Sequence, residues 1–405
     1  MKIERPFKAG ADFEYLRKVL MRETKEGPVP IIELGADNEI MAAVTGIELP
    51  KDLTGDPIYL YLKFSELARV IDSKIEGAAD ADMSVLLTLS DADIRKELEL
   101  GVTLMNLSLE FSKAVGYDYV TVYPTVPIPR TGSHLTSNPQ QQGKVRAWQD
   151  EHQGLIATRQ EFESYPWPST DKIGLLSIDY MAGQMPEGMK VMVFYLGVFE
   201  DLKILMGMEN VAIKSIEEPD LLDDILEQLT ILAEAAVDKA AAHPATGAIF
   251  YGDDMGFNTG LMLSPKFMRE HVLPRHARIA RACHKHAKPF LFHSCGRVDA
   301  LMDDLIHKVC IDAKHSFQDN VIPIEEAYKR YGNRICLLGG VDVDLLARGT
   351  PEQVRARTRQ ILDACAPRGG FCIGSGNSVT NYCRIENYYA MVDETRKWNE
   401  ERGYL

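Results

Sequence analysis

Apolar residues along this chain keep two alternating rhythms, and the alternation predicts most of the architecture. Phe13, Leu16, Val19 and Leu20 recur at three-to-four spacing, the mark of one buried helical face. That stretch runs through Gly27-Pro28 into the short apolar run Pro30-Ile31-Ile32-Glu33-Leu34-Gly35, which reads as a strand. The second half repeats the beat. Leu222, Ile225, Leu229 and Leu232 form a helical stripe, and Ala248-Ile249-Phe250-Tyr251 follows as a strand. Another helix opens at Ser264 with Pro265 in its first turn and leads to the run Pro289-Phe290-Leu291-Phe292. Val298, Leu301, Met302, Leu305 and Ile306 make the next stripe, before strands expected at 309–312 and 335–338. Thr350-Pro351-Glu352-Gln353 has the form of a capping box, and the last strand carries Cys372.

Short apolar strands alternating with helices imply a parallel sheet covered on both faces. No Gly-x-Gly-x-x-Gly turn points to a dinucleotide fold. The expected fold is therefore α/β, a (β/α)8 TIM-type barrel forming a single domain over 1–405 with an N-terminal helical extension. From about 144 to 200 the beat lapses. Trp148, Tyr165, Trp167, Tyr180, Phe194, Tyr195 and Phe199 gather there around the rigid turn Tyr165-Pro166-Trp167-Pro168. These aromatics either line a ligand pocket, with Trp148 and Trp167 as its substrate contacts, or fasten an insertion to the barrel.

Composition narrows the function classes. A formal net charge of -14 argues against nucleic acid as a partner, because phosphate binding needs clustered Lys and Arg. The most basic stretch, 269–288, interleaves its charges with His271, His276, His284 and His286 and reads as a solvated helical face. No apolar run approaches the roughly 18 residues of a membrane span. Met1-Lys2-Ile3-Glu4-Arg5 lacks an apolar signal region, and seven cysteines at irregular spacing suggest thiols or ligands in place of disulfides. A cytoplasmic, reducing setting is expected.

The candidate chemistry lies at strand ends, where a barrel of this kind places functional groups. His293 and Cys295 sit at alternate positions of an extended segment, so both side chains point the same way. With Cys372 from the last strand they form a ligand set suited to zinc, with a fourth position open to substrate oxygen, water or a carboxylate. The competing reading makes the cysteines ordinary core residues, as it does Cys310, Cys336 and Cys365 within apolar stretches. Tyr251, Asp253, Asp254, His315, Asp342, Asp344, Ser375 and Asn377 also follow strands. The aspartates have an alternative role, capping the helices that come next.

Gly252-Asp253-Asp254-Met255-Gly256, Lys285-His286-Ala287-Lys288-Pro289 before His293-Ser294-Cys295-Gly296, Gly339-Gly340-Val341-Asp342 and Gly374-Ser375-Gly376-Asn377 together resemble the uroporphyrinogen decarboxylase superfamily. The likeness is to its zinc-dependent, corrinoid-linked methyltransferase branch, covers most of the chain and is strongest after about residue 245. In that branch the metal motif is His-x-Cys with a distant Cys, which His293, Cys295 and Cys372 match in type and order. Porphyrinogen decarboxylation fits less well, since the substrate's carboxylates call for arginines in the first barrel loop and none occurs between Arg22 and Arg69.

The resemblance implies that a methyl group passes from a donor, expected to be an aryl methyl ether, to the cob(I)amide of a corrinoid on a partner protein. The alternative is transfer from methylcorrinoid to a thiol, and a non-catalytic zinc-containing docking module is a lesser one. Asp253 or Asp254 would orient His293 or supply a proton, His315 would touch substrate or act as an acid, and Tyr251 and Asn377 would contact substrate. The chain has no Asp-x-His-x-x-Gly cobalamin signature of its own.

Overall fold

The computed structural model describes residues 10–50, 67, 70, 71, 82–130, 134–137, 145–148 and 154–405. Seven parallel strands pair in chain order: Tyr119–Val122, Lys190–Leu196, Thr246–Gly252, Phe290–His293, Ala313–His315, Cys336–Leu338 and Phe371–Cys372. Residues 30–34 form an eighth stave beside the last strand. There Ile32 N–H donates to the Ile373 carbonyl at 2.9 Å, and Ile373 N–H to the Pro30 carbonyl at 3.0 Å. A side chain closes the ring: Tyr119 Oη accepts from Glu33 N–H at 2.7 Å and donates to the Glu33 carbonyl at 3.1 Å. The fold is the expected α/β barrel.

Helices cover the outside, so the staves are apolar on both faces and show no polar alternation. Val191–Leu196, Ala248–Tyr251 and Phe290–Phe292 are buried throughout. Each large side chain among them contributes about 1.5–3 kcal/mol of burial. The helix signals operate as written. Leu222, Ile225, Leu229 and Leu232 are buried on Pro219–Ala242, Ser264 accepts from Phe267 N–H, and Thr350 and Gln353 complete a capping box. Among the described residues no helix is long and apolar enough to cross a membrane.

Three expectations change. The strand expected at 309–312 starts instead at Ala313, because Cys310 takes a left-handed conformation (φ 65°) that ends the preceding helical turn; its thiol is exposed, not packed. The basic stretch is a seam, not a solvated face. Arg278 pairs with Glu227 and Glu234, Arg275 and His271 with Asp223, and His276 is fully buried. The aromatic insertion is also shorter than expected, since Lys190–Leu196 is a barrel stave. Its Tyr165 hydroxyl donates to the Pro129 carbonyl, and the Trp167 ring packs 4.5 Å from Tyr165 and 6.0 Å from Phe162. Trp167 thus fastens the segment. Trp148 ends a short hairpin strand, and its side chain lies outside the described residues.

Candidate metal centre

His293 ends its strand in register with His315 on the next, and the strand's period of two carries the Cys295 side chain to the same side. The turn depends on Gly296, whose φ is +70° and where a Cβ would lie 2.2 Å from the Gly256 carbonyl oxygen. From the neighbouring strand end comes Asp254, whose Oδ1 accepts from Cys295 N–H at 2.7 Å. The result is a cluster of three potential ligands: Asp254, His293 and Cys295. His293 Nε2 lies 3.3 Å from Cys295 Sγ and 3.5 Å from Asp254 Oδ1. Zinc at its usual bond lengths in a tetrahedral site holds such atoms about 3.3–3.8 Å apart. The three residues fit the ion.

The hydrogen bonds around His293 select its tautomer. His315 Nε2 lies 3.2 Å from the Ser375 carbonyl, which can only accept, so this nitrogen carries the proton. A neutral His315 then presents a bare Nδ1, 2.8 Å from His293 Nδ1, and His293 must donate there. The lone pair of His293 is left on Nε2, facing Cys295 and Asp254, as a metal ligand requires. Burial, reinforced by the Lys314 ammonium, lowers His293 to about 3. His315 is also held well below the usual imidazole range, by burial and then by His293. Burial raises the Cys295 thiol, so metal binding must displace its proton.

Asn377 completes the rim. Its Oδ1 accepts from Ser378 N–H at 2.9 Å, which turns Nδ2 toward Cys295 Sγ at 3.2 Å. Underneath, fully buried Lys314 donates to the carbonyls of Ser294 (3.0 Å), His315 and Ser316 (3.3 Å) and pins the turn. On the Asp254 side, Lys203 donates to the Asp254 carbonyl at 2.8 Å and pairs with Glu200, whose carboxyl burial raises to about 7.

Five other candidate residues are placed outside the cluster. Cys372 is in register with Leu338 on the last stave, and its buried thiol meets that of Cys336, so it does not join the His293 cluster. Asp253 is fully buried and accepts from Phe199 N–H (3.1 Å), Glu200 N–H (2.7 Å) and His276 Nε2 (2.7 Å), so it holds the first turn of the earlier helix Val198–Met206 and does not cap the helix that follows its own strand. Tyr251 faces the outer helices: its ring packs 5.3 Å from His276, and its hydroxyl accepts from Val198 N–H at 2.8 Å. His315 is fully buried behind His293, a positioning group and not a substrate contact. Asp342 does cap the next helix, through Asp344 N–H.

Glu33, Lys314 and Glu200 escaped the sequence reading. Glu33 accepts from Ser375 N–H at 2.8 Å and contacts its hydroxyl. Its one signal was an acid inside the apolar run 30–34.

Comparison with known proteins bears on the family and the fold. The sequence model described as uroporphyrinogen decarboxylase (URO-D) matches residues 156–398. A methylated-thiol–coenzyme M methyltransferase of Methanosarcina mazei is 30% identical over 189 residues, 46% of this chain and 48% of that protein. A uroporphyrinogen decarboxylase of Anaeromyxobacter dehalogenans is 29% identical over 176 residues, 44% of this chain and 48% of that one. The chain thus spans about half the length of these curated relatives. A solved methyltransferase from Methanosarcina mazei superposes over 96% of this chain and 99% of its own, with a TM-score of 0.62 at 15% identity, a likeness of fold. With more than half of its length matched, from the turn before Thr158 to the last helix, this chain belongs to the uroporphyrinogen decarboxylase (URO-D) family.

Proposed function

We propose that this protein is a methyltransferase that moves a methyl group between a thiol and a corrinoid carried by a partner protein, with zinc held by His293, Cys295 and Asp254. The observation that carries the reading is the bare Nε2 of His293 beside one thiol and one carboxylate at ligand spacing. The methylated-thiol methyltransferase among the relatives favours sulfur as the other end of the transfer. Zinc, when bound, supplies the positive charge that keeps a thiol deprotonated at neutral pH.

The charge count supports the same direction. A Cys295 thiolate and an Asp254 carboxylate together balance a dication, and both histidines are neutral. Such a site pulls weakly on an ether oxygen and suits a nucleophilic thiolate. Asn377 steadies the Cys295 sulfur, Cys295 N–H orients Asp254, and Glu200, near 7, is poised to hold the proton that an incoming thiol gives up. The aromatic turn Tyr165-Pro166-Trp167-Pro168, which could have covered a flat substrate, packs on itself, with the Trp167 ring against Tyr165 and Phe162. The Glu33–Asn38 loop offers no arginine for a porphyrinogen. The corrinoid protein would dock over the mouth formed by Asp254, Cys295 and Asn377.

The test is a visible-spectrum assay on zinc-loaded protein. Methylcobalamin with a panel of thiols should yield cob(I)alamin, with no turnover in Cys295→Ala. Formation of methylcobalamin from cob(I)alamin and an aryl methyl ether, with all thiols inert, would replace this reading by ether demethylation.

A further inference from the structure

The barrel mouth adjoins a second space. The ends of the staves 30–34 and Tyr119–Val122 and the helices Met83–Leu89 and Ala92–Val115 enclose an apolar cavity of about 170 Å³, with Met41, Leu98, Leu104 and Phe111 in its wall. Cavities of about 150 Å³ with such linings admit a single benzene-sized ring.

Polar residues interrupt the apolar lining, among them Asn38, Glu33, Thr121 and Lys172. Asn38 is fully buried, and neither its Oδ1 nor its Nδ2 has a partner among the described residues. An unmet buried amide is destabilising, by about 1–3 kcal/mol per group. Glu33 is neutral by proton counting. The Ser375 hydroxyl touches both a Glu33 oxygen and the Asn377 carbonyl, and its one hydrogen serves only one of them. All contacts are satisfied when Glu33 keeps its own proton and donates to Ser375, which donates to Asn377.

Side by side, this part of the wall therefore carries a neutral acid and one unanswered amide. An amide offers an acceptor and a donor side by side, and the complementary edge is a donor beside an acceptor, as when Asn reads adenine. We propose that this cavity binds a neutral, single-ring molecule bearing an adjacent N–H donor and acceptor, a carboxamide or lactam edge, seated on Asn38. The proposal does not rest on the methyl-transfer reading.

Titration calorimetry with benzamide and 2-pyridone tests it, with toluene and benzoate as controls. We expect one saturable site for both amides, unchanged in Cys295→Ala and after EDTA, and benzoate at least tenfold weaker. Asn38→Leu should weaken the amides at least tenfold while toluene binds as well or better. Leu104→Trp, which fills the cavity from the opposite wall, should abolish all binding with the circular dichroism unchanged, and it serves if Asn38→Leu fails to fold. The proposal is overturned if neither amide saturates, if Leu104→Trp leaves their affinity intact, or if binding vanishes with zinc.

Discussion

His315 Nδ1 lies 2.8 Å from His293 Nδ1, and this contact decides which nitrogen of His293 is bare. The proton order runs from the Ser375 carbonyl through both rings to the candidate ligand cluster. His315→Phe should therefore weaken zinc binding about 10–100-fold, the usual effect of removing a partner behind a ligand. Chelator competition measures it. His315→Gln, which can still accept from His293, should recover part of the loss; equal affinity in all three proteins would disprove the relay.

Cys295 and Cys372 should part company on substitution. Cys295→Ala is expected to release zinc, whereas Cys372→Ala keeps it stoichiometric and lowers stability by about 1 kcal/mol through lost packing against Cys336. Metal analysis and urea unfolding of the two variants separate the effects. Zinc lost from Cys372→Ala would restore the ligand set inferred from sequence.

The adjacent aspartates should also differ. Asp254→Asn is expected to lose zinc with little change in stability. Asp253→Ala removes the acceptor of two helix N–H groups and of buried His276, and should cost about 2–4 kcal/mol with the ligand cluster itself untouched. Denaturation midpoints alongside zinc content are the readout.

Glu33 gives a pH signature. Burial raises it from 4.5 to about 8, so between those values the folded state holds a proton that the unfolded state has lost. Its contribution is fully present below about pH 4.5 and fades as pH rises through 8. Glu33→Gln, always neutral and able to donate to Ser375, should flatten that slope and stabilise the protein at pH 8.5 by on the order of a few kcal/mol relative to wild type. Unfolding at pH 5.5 and 8.5 checks it; parallel slopes in the two proteins would rule the account out.

The barrel was readable because its cause is local. Periodicity marks which face of Pro219–Ala242 is buried, and proline with a capping residue marks where helices begin at Ser264 and Thr350. The end of a helix was harder: an apolar Val309-Cys310-Ile311 looks like a strand until Cys310 turns left-handed and closes the turn.

By itself the sequence determined the alternation of strand and helix, and it brought His293 and Cys295 to one side of a strand end, because neighbouring residues share a backbone with a fixed period. Only the tertiary structure decided the rest of the site. Type and order made Cys372 the natural third ligand. Yet strand register and side-chain direction set its thiol against Cys336 and gave that place to Asp254, with Asn377 at the rim and His315 behind. Residues far apart in the chain meet through the closure of the barrel, and no local pattern encodes which of two cysteines, or which of two adjacent aspartates, faces the centre.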